Sequence, residues 1–392
     1  MKLAVLTNIL TPYRIPLFQA MAEQVDEFSI ILMAQQEENR LWKIEDVPFP
    51  VYVLPGFHVR PWGAPVAVHL NYGVTARLTQ LDPDVVLNAG FAVANIAAYW
   101  YCRRAHIPFI HWAHLSLNDG AQASFVRRRI RHWLIGRSAG AVGESSHARD
   151  AFIHYGAPKE RILVATMPLD VTGLHDRVLA RKQWPETSTP LNTLSKPVLL
   201  SIGQLIPRKG YHELFAIYER LLTTHPHTSL LIVGDGPDRQ HFETVVREKG
   251  WTRVHFAGFV QAQDLPRYFA LSDAFIFHTL YDPFGLVLSE AMAAEVPVVS
   301  SIHAMATHDL VEDGVTGFRI DPLQPEASAE TVRHLFDMSS DQRTSLIDAA
   351  YRRVLPCDSR TSASRIVEFL RSFRTPHEPR MATTPSPSQR IS

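Results

Sequence analysis

The amino-acid sequence predicts an α/β protein made of two parallel-sheet domains that face a central cleft. The chain has 392 residues, which is more than one domain usually holds. Short apolar runs alternate with helical stretches, a pattern typical of parallel strands covered by helices on both faces. The alternation occurs twice, over residues 1–172 and 197–355, and a polar, aperiodic stretch at 173–196 separates the two sets as a linker.

The first set begins with a strand and a helix, "KLAVLT" and "RIPLFQAMAEQ". A second strand and helix follow, "PDVVLNAG" and "ANIAAYWYCRRA". The remaining segments are strand "IPFIHWAH", helix "SSHARDAFIHYG" and strand "ERILVATM". Apolar runs of this length suit buried strands of a parallel sheet.

The second set repeats the alternation with clearer turns. Its strands are "PVLLSIGQ", "SLLIVGDGP", "VHFAGFV", "AFIFHT" and "VPVVSS", each followed by a helical stretch or a turn. Residues 356–374 predict a last helix that packs back on the first domain. Residues 375–392 contain four prolines and many Ser and Thr, so we expect a disordered tail. Ligands usually bind in the cleft between two such domains.

Composition excludes some classes of protein. Lys plus Arg and Asp plus Glu both number 39, and this balance argues against a nucleic-acid binder. The chain has two cysteines, far apart and without metal-site spacing, which indicates a reducing compartment. Its start lacks the pattern of a signal peptide, and no apolar run is long enough for a membrane helix. We therefore expect a cytoplasmic protein.

The stretch "YDPFGLVLSEAMA" carries two acids, Asp282 and Glu290, among apolar residues. Pro283 and Gly285 prevent one continuous helix between them, so a loop that turns into a helix at about residue 286 fits better. The first N–H groups of that helix would form an anion site, and Glu290 would reach a sugar hydroxyl pair. The alternative is a helix-capping Asp282 and a surface Glu290.

Two other turns resemble phosphate sites. Arg208 and Lys209 follow a strand and precede a helix, where two cations suit phosphate oxygens. An exposed basic loop is the alternative for such a pair. Gly234 and Gly236 also follow a strand, although Gly-Asp-Gly is common turn chemistry.

Five motifs in the carboxyl half, taken in order, resemble the bacterial glycosyltransferases of family 4. They are "GQLIPRKG", "LLIVGDGPDRQHFE", "VHFAGFVQAQDLPRYFALSDAFIF", "DPFGLVLSEAMAAEVPVVSS" and "LVEDGVTGF". The resemblance extends over residues 1 to about 372 and implies the GT-B fold, in which two Rossmann-like domains face a cleft. It implies that residues 1–172 form the acceptor side and 197–355 the nucleotide-sugar side. The implied activity is retaining sugar transfer from a UDP- or GDP-sugar to a hydroxyl acceptor, such as a lipid-linked or surface-polysaccharide glycan.

The resemblance also implies roles for single residues. Glu290 matches the acid on the nucleotide ribose, Asp282 the acid near the transferred sugar, and Lys209 the lysine on the diphosphate. Phe259 and Val260 match the segment that contacts the base. The implied donor site comprises Gly203, Gln204, Arg208, Lys209, Gly234, Gly236, Phe259, Val260, Asp282, Phe284, Gly285, Leu286, Val287 and Glu290.

Three positions depart from the family pattern. Gln204 stands where an Arg is usual, so Arg208 is a candidate to supply the missing charge. Position 282 is Asp, one methylene shorter than the more usual Glu. Glu295 stands where Gly is common, and "IHAMATHD" replaces a usual Gly-Gly turn.

The amino-terminal half supplies the remaining candidates. His114 matches the family's histidine near the reacting sugar, and His111 is the neighbouring candidate. The resemblance thus assigns catalysis to His114, Lys209 and Asp282. In the first loop, "TNILTPYR", we expect Thr11, Tyr13 and Arg14 to contact the acceptor, with helix-start packing as the alternative for the last two.

The sequence predicts neither a metal nor another cofactor. Asp82 and Asp84 imitate a metal-binding Asp-x-Asp motif, but they precede a strand and are interpreted as a turn. Lysine and helix dipoles offset diphosphate charge without a metal. Two other functions are alternatives. A glycoside hydrolase would use Asp282 and Glu290 as its two acids, but that function leaves the phosphate-type turns unexplained. The second alternative is a nucleotide-sugar-binding protein without catalysis.

The stretch "FVRRRIRHWL" at 125–134 predicts a basic amphipathic helix. Val126, Ile130, Trp133 and Leu134 share one helical face, and four arginines project elsewhere. This pattern suits a surface that touches anionic lipid headgroups and so approaches a lipid-linked acceptor. It equally suits a packed helix with a solvated basic face.

Overall fold

The computed structural model describes residues 1–36, 46–59, 68–117, 124–183 and 194–374. The predicted tail, 375–392, lies outside these residues. Two all-parallel sheets, each flanked by helices, form two domains, and one antiparallel hairpin is added to the first. The α/β prediction with two parallel sheets is confirmed.

The first sheet has seven parallel strands in the order β3-β2-β1-β6-β7-β8-β9. Its strands are β1 (Lys2–Thr7), β2 (Glu27–Leu32), β3 (Val51–Val53), β6 (Val85–Asn88), β7 (Phe109–Ala113), β8 (Gly140–Gly143) and β9 (Ile162–Val164), and the hairpin is β4 (Gly56–Val59) with β5 (Val68–Asn71). The helices of this half are α1 (Ile15–Ala22), α2 (Val74–Leu81), α3 (Val93–Ala105), α4 (Phe125–Ile135) and α5 (Ser146–His154). Strands β6 and β8 are buried along their whole length, as expected for a sheet covered on both faces.

The second sheet has six parallel strands in the order β12-β11-β10-β13-β14-β15. They are β10 (Val198–Ile202), β11 (Ser229–Val233), β12 (Val254–Gly258), β13 (Ala274–Phe277), β14 (Val298–Ser301) and β15 (Phe318–Ile320). The helices are α6 (Val171–Gln183), α7 (Tyr211–Leu221), α8 (Arg239–Glu248), α9 (Leu265–Leu271), α10 (Leu286–Ala293), α11 (Met305–Leu310), α12 (Pro325–Asp337) and α13 (Ser340–Val354). A final helix, α14 (Ser359–Arg371), follows.

The predicted linker at 173–196 is wrong in its first part, because α6 is a regular helix over residues 171–183. Val171, Leu174 and Val178 are buried in one apolar cluster with strands of the second sheet. Helix α6 therefore belongs to the core of the second domain. The charged residues of α6 interrupt its apolar pattern, so the sequence did not show the helix. Residues 184–193 of the predicted linker lie outside the described residues.

Helix α14 crosses back to the first domain. Ala363, Ile366, Val367 and Leu370 are buried in the cluster that contains Leu3 and Phe18 of the first sheet and its helix. Their spacing is that of one helical face. The last helix of the described chain therefore packs on the first domain.

Residues that follow the carboxyl ends of strands join the two domains. Ser146, at the start of α5, donates its backbone N–H to the Asp309 carboxylate of α11 at 3.0 Å, and its hydroxyl is hydrogen-bonded to the same carboxylate. Tyr13, which follows β1, packs against the apolar cluster of the second domain. The carboxyl ends of both sheets therefore face each other, which is where ligands bind in open α/β sheets.

Candidate functional site

The donor-side residues gather at the switch point of the second sheet. Strand β10 pairs with β11 on one side and with β13 on the other, so the loops after β10 and β13 leave the sheet side by side. His278 joins these loops, since its Nδ1 donates to the Gly210 carbonyl at 2.9 Å and its Nε2 meets the Ser201 hydroxyl at 2.8 Å. Burial lowers the pKa of His278 to about 4, so it stays neutral in this role.

Lys209 and Asp282 form the centre of this site. The Lys209 ammonium lies 2.6 Å from the Asp282 carboxylate, and both side chains are 13% exposed. The Arg208 guanidinium lies 3.7 Å from the same carboxylate and donates to the Tyr281 carbonyl at 3.0 Å. Lys209 and Arg208, the two cations that the sequence analysis places on the diphosphate, therefore both contact Asp282, the acid that it places near the sugar.

Helix α10 begins where the sequence predicted. Gly285 precedes its first residue, Leu286, with φ of +98°, and no side chain caps this terminus. A Cβ at Gly285 would lie 2.4 Å from the Phe277 ring, so only glycine fits here without a shift. Asp282 holds the loop by accepting the Phe284 N–H at 3.1 Å.

Glu290 lies one turn into α10 and is half-buried. Its carboxyl makes no hydrogen bond or ion pair with any residue in the described part of the chain. Burial raises the pKa of Glu290 to about 7. A carboxylate kept without a partner in such a place costs stability, so it is a candidate to receive hydroxyl donors from a ligand.

The predicted glycines support backbone packing. A Cβ at Gly234 would lie 1.9 Å from the Gly203 carbonyl oxygen, and one at Gly236 would lie 2.3 Å from the Leu205 carbonyl oxygen. The two glycine turns therefore hold the loop after β10 against the loop after β11. Gln204, between these contacts, is exposed.

The remaining donor-side residues differ in exposure. Phe259 is 45% exposed, whereas Phe284 is buried. Val260, Leu286 and Val287 are half-buried and pack against the apolar cluster of the second domain. The ring of Phe259 is thus partly open to solvent, and the other side chains pack into the domain.

On the first domain, His114 and Arg14 meet at Glu144. The Glu144 side chain is 0% exposed, lies 2.5 Å from Nδ1 of His114 and 2.9 Å from the Arg14 guanidinium. Burial opposes ionisation of Glu144, but the charges of Arg14 and His114 outweigh it and lower its pKa. The sequence analysis did not select Glu144; its place directly after the apolar run of β8 was the available signal.

The other predicted acceptor-side residues have different surroundings. Thr11 is buried, and its hydroxyl has no hydrogen-bond partner among the described residues. Tyr13 packs across the domain boundary against the apolar cluster of the second domain. Arg14 stacks over the Trp112 ring, 4.1 Å from its centroid, and pairs with Glu144.

His111 is a core residue and is not the exposed histidine of this edge. Its side chain is fully buried, and its Nδ1 lies 3.2 Å from the Asn88 amide. Burial lowers its pKa to about 3. His114, with a side chain that is 32% exposed, is the histidine that can touch a ligand.

Asp82 and Asp84 serve the fold. Asp84 accepts the Lys2 backbone N–H at 2.8 Å, and Asp82 ends α2 with φ of +40°. Within the described ranges, no cluster of three or more His, Cys, Asp or Glu residues has metal-site geometry.

Helix α4 has one buried end and one exposed end. Leu134 is buried, whereas Phe125 and Val126 are 68% and 65% exposed. The helix lines an open groove of about 490 Å³ with Phe125, Val126, Arg129, Ile130, His132, Trp133 and Arg137. Across the described ranges, no helix has the length and apolar character needed to cross a bilayer.

Comparison with family models covers most of the chain. The model described as Glycosyltransferase Family 4 matches residues 17–172, and the model described as Glycosyl transferases group 1 matches residues 186–353. The first match contains the strands of the first sheet except β1, and the second contains all six strands of the second sheet.

Curated relatives match over parts of their length. A Mycobacterium tuberculosis protein named glycogen synthase is 27% identical over 262 residues, which cover 65% of this chain and 60% of the relative. A Mycolicibacterium smegmatis protein, named GDP-mannose-dependent alpha-(1-6)-phosphatidylinositol monomannoside mannosyltransferase, is 29% identical over 190 residues, covering 46% of this chain and 49% of the relative. The chain thus spans less than two thirds of these relatives.

Solved structures match over nearly the whole chain. The Anabaena protein HepE, solved in complex with UDP, has a TM-score of 0.72 and 23% identity, covering 95% of this chain and 100% of HepE. HepE has also been solved in complex with UDP-glucose. The GT-B prediction is thereby confirmed for the fold, and the chain belongs to the group 1 glycosyltransferases, with an amino-terminal half of family 4.

Proposed function

We propose that the protein is a retaining, metal-independent glycosyltransferase that moves a sugar from a UDP- or GDP-sugar to a hydroxyl acceptor. One observation carries the proposal: Lys209 and Arg208 meet Asp282 beside an uncapped helix start, with the unpaired Glu290 one turn further on. Cations and a helix N-terminus suit a diphosphate, and an unpaired carboxylate suits ribose hydroxyls. The binding of UDP by the similarly folded HepE supports a nucleotide donor.

Diphosphate departure would be assisted mainly by Lys209. Negative charge grows on the leaving diphosphate as the glycosidic bond breaks, and a half-buried ammonium stabilises that charge more strongly than one in water. Lys209 is held by Asp282 before donor binds, so it is already aimed at the site. The free N–H groups at the start of α10 add a favourable dipole.

The acceptor side would be formed by the first domain. His114 directly follows β7 and has a side chain that is 32% exposed, so it would be accessible to the reacting sugar. Thr11, with a buried hydroxyl that lacks a partner among the described residues, is a further candidate to meet an acceptor hydroxyl. In a retaining transfer, that hydroxyl attacks on the face that the diphosphate vacates.

A lipid-linked or growing surface-polysaccharide acceptor is the substrate class we infer. The exposed Phe125 and Val126, together with the arginines of α4, suit an anionic bilayer surface. The name of the mycobacterial mannosyltransferase, which acts on a phosphatidylinositol mannoside, supports such an acceptor. The enzyme would then work peripherally at the inner face of the cell membrane.

Vesicle binding tests the membrane part. Vesicles with anionic phosphatidylglycerol should bind the protein, and vesicles of phosphatidylcholine alone should not. Replacing Arg127, Arg128 and Arg129 by Gln should weaken binding by about 1 kcal/mol per charge. Equal binding to both kinds of vesicle would contradict an electrostatic surface.

A panel of nucleotide-sugars tests the main proposal. A transferase should release sugar slowly from its own donor even without acceptor, and a chelator should leave that rate unchanged. Stabilisation by a donor without any turnover would indicate the alternative, a nucleotide-sugar-binding protein without catalysis. Neither binding nor turnover with any donor would refute both, and activity lost to the chelator would refute metal independence.

A further inference from the structure

Glu144 is a fully buried carboxylate that contacts two basic side chains, His114 and Arg14. Its Oε2 lies 2.5 Å from Nδ1 of His114, and its Oε1 lies 2.9 Å from the Arg14 guanidinium. The three residues follow three strands of the first sheet: Arg14 lies in the segment after β1, His114 directly follows β7, and Glu144 directly follows β8. Strands β7 and β8 are neighbours, and β6 lies between β1 and β7. All of them therefore stand at the edge that faces the second domain.

Arg14 places a permanent positive charge beside Glu144. Its guanidinium is stacked on Trp112, with a side chain that is 14% exposed, so the pair is fixed in place. A buried carboxylate needs one such cation to remain ionised. The contact between this fixed carboxylate and the more exposed His114 therefore also constrains the orientation of the histidine ring.

A carboxylate only accepts hydrogen bonds, and it therefore selects the tautomer of the ring that it contacts. Glu144 is ionised, because the neighbouring charges lower its pKa despite burial. Nδ1 of His114 must then carry the proton. Nε2 is left as the acceptor atom of the neutral ring, and it has no partner in the described part of the chain.

We infer that Glu144, held by Arg14, is the positioning residue that orients His114 and keeps its proton on Nδ1, so that Nε2 accepts a hydrogen bond from a sugar hydroxyl. The inference deepens the proposed function and rests on it for the identity of that hydroxyl. It also gives Arg14 a different task from the predicted one, since Arg14 acts on the acceptor side through Glu144.

The tautomer is measured directly by NMR on protein with ¹⁵N-labelled histidine. At about pH 8.5, above the usual histidine pKa, the His114 signal should show a pyrrole-like Nδ1 and a pyridine-like Nε2. The spectrum of His114→Asn identifies that signal by its absence. A wild-type His114 with its proton on Nε2 would overturn the inference, and this result needs neither activity nor a folded Glu144 variant.

The Glu144→Gln variant tests the consequence. Gln can turn either its amide oxygen or its amide NH₂ group toward Nδ1 of His114, so the ring should lose its single tautomer. We expect kcat to fall about 10- to 100-fold, the cost found when a carboxylate that orients a functional histidine is removed from a metal site. The donor KM should stay within about threefold. Glu160→Gln, an exposed change in the same domain, is the matched control and should alter neither quantity.

The outcomes separate the two hypotheses. An unchanged kcat and tautomer in folded Glu144→Gln would refute the positioning role. The positioning role would be supported if kcat falls in Glu144→Gln but not in Glu144→Asp, and if Glu144→Asp keeps the Nδ1–H tautomer, because Asp keeps the negative charge. If no nucleotide-sugar is turned over, the proposed function fails, whereas the NMR measurement still decides how Glu144 holds His114.

Discussion

Lys209 and Asp282 lie 73 positions apart in the sequence and meet with their charged atoms 2.6 Å apart. Asp282 is therefore not a free acid in this structure, and Lys209 is not a free cation. The incoming diphosphate must share Lys209 with Asp282, which couples the two predicted roles. Mutation of either residue will affect the other, so their effects should not be additive.

Replacing Lys209 by Ala should lower kcat more than it lowers donor affinity. The reason is that charge on the diphosphate grows in the transition state. Loss of the ammonium also leaves the Asp282 carboxylate with less compensation, which we expect to cost about 1–3 kcal/mol of stability. Lys249→Ala is the matched control, since it removes an exposed pair with Glu219 and should cost at most about 1 kcal/mol. Equal losses of kcat and affinity would mean that Lys209 only anchors the ground state.

Arg208 should compensate for the missing arginine at position 204. Its guanidinium already lies 3.7 Å from the Asp282 carboxylate. We expect Arg208→Ala to weaken donor binding by about 1.5–3 kcal/mol, and Gln204→Arg to give little gain. Calorimetry on both single mutants and the double mutant decides the question, because additive effects would exclude compensation.

Glu290→Gln should stabilise the protein at neutral pH while weakening donor binding. Burial raises the pKa of Glu290 from 4.5 to about 7, so the folded chain holds a proton that the unfolded chain has lost between these values. The stability of the wild type therefore falls as pH rises through this window, and the deficit is complete above about pH 7. Urea unfolding should show the two proteins alike near pH 4.5 and the variant more stable at pH 8.

Donor binding supplies the second half of that test. Loss of an acceptor for two ribose hydroxyls should cost about 1.5–3 kcal/mol in Glu290→Gln and at least as much in Glu290→Ala. The fold should remain intact in both. An unchanged donor affinity in calorimetry would exclude Glu290 from the ribose site.

Glu295→Gly should raise stability. Glu295 follows α10 with φ of +55°, in the left-handed region that disfavours side chains, and the Val296 N–H returns to the Ala291 carbonyl at 3.0 Å. Relief of this strain should contribute about 1 kcal/mol. Ala294→Gly, one residue earlier with φ of −77°, is the matched control and should give no gain. A loss of stability in Glu295→Gly would contradict this reason for the family's glycine.

Asp309→Ala should loosen the contact between the domains. Its carboxylate accepts from Ser146 at the start of α5, and charge-assisted bonds of this kind contribute about 1.5–3 kcal/mol. We expect the ratio of closed to open molecules to fall about tenfold or more, measured by small-angle scattering or single-molecule distances. Asp150→Ala, an exposed change on α5, is the control. An unaltered distance distribution would mean that apolar contacts alone hold the domains together.

Prediction from the sequence succeeded where neighbours along the chain decide the structure. Gly285 and the start of α10 followed from Pro283, Gly285 and the apolar pattern after them. The same reasoning fails for α6, because residues 173–183 of this helix fall in the predicted linker. The buried face of α6 is matched to strands of the second domain, and that match is invisible in the polar composition of the segment.

The sequence by itself determined the α/β class with two parallel sheets, five strands of the second sheet and the residue types of the donor loops. In the first half it did not predict β2, β3, β8 or the hairpin of β4 and β5. The tertiary structure decided which of these side chains meet. Glu144 reaches His114 and Arg14 across 30 and 130 positions, and Asp309 reaches Ser146 across 163. Local patterns reflect backbone propensity and burial, whereas such pairs depend on how strands are ordered in the sheet. Only packing of the whole chain brings these carboxylates to their partners.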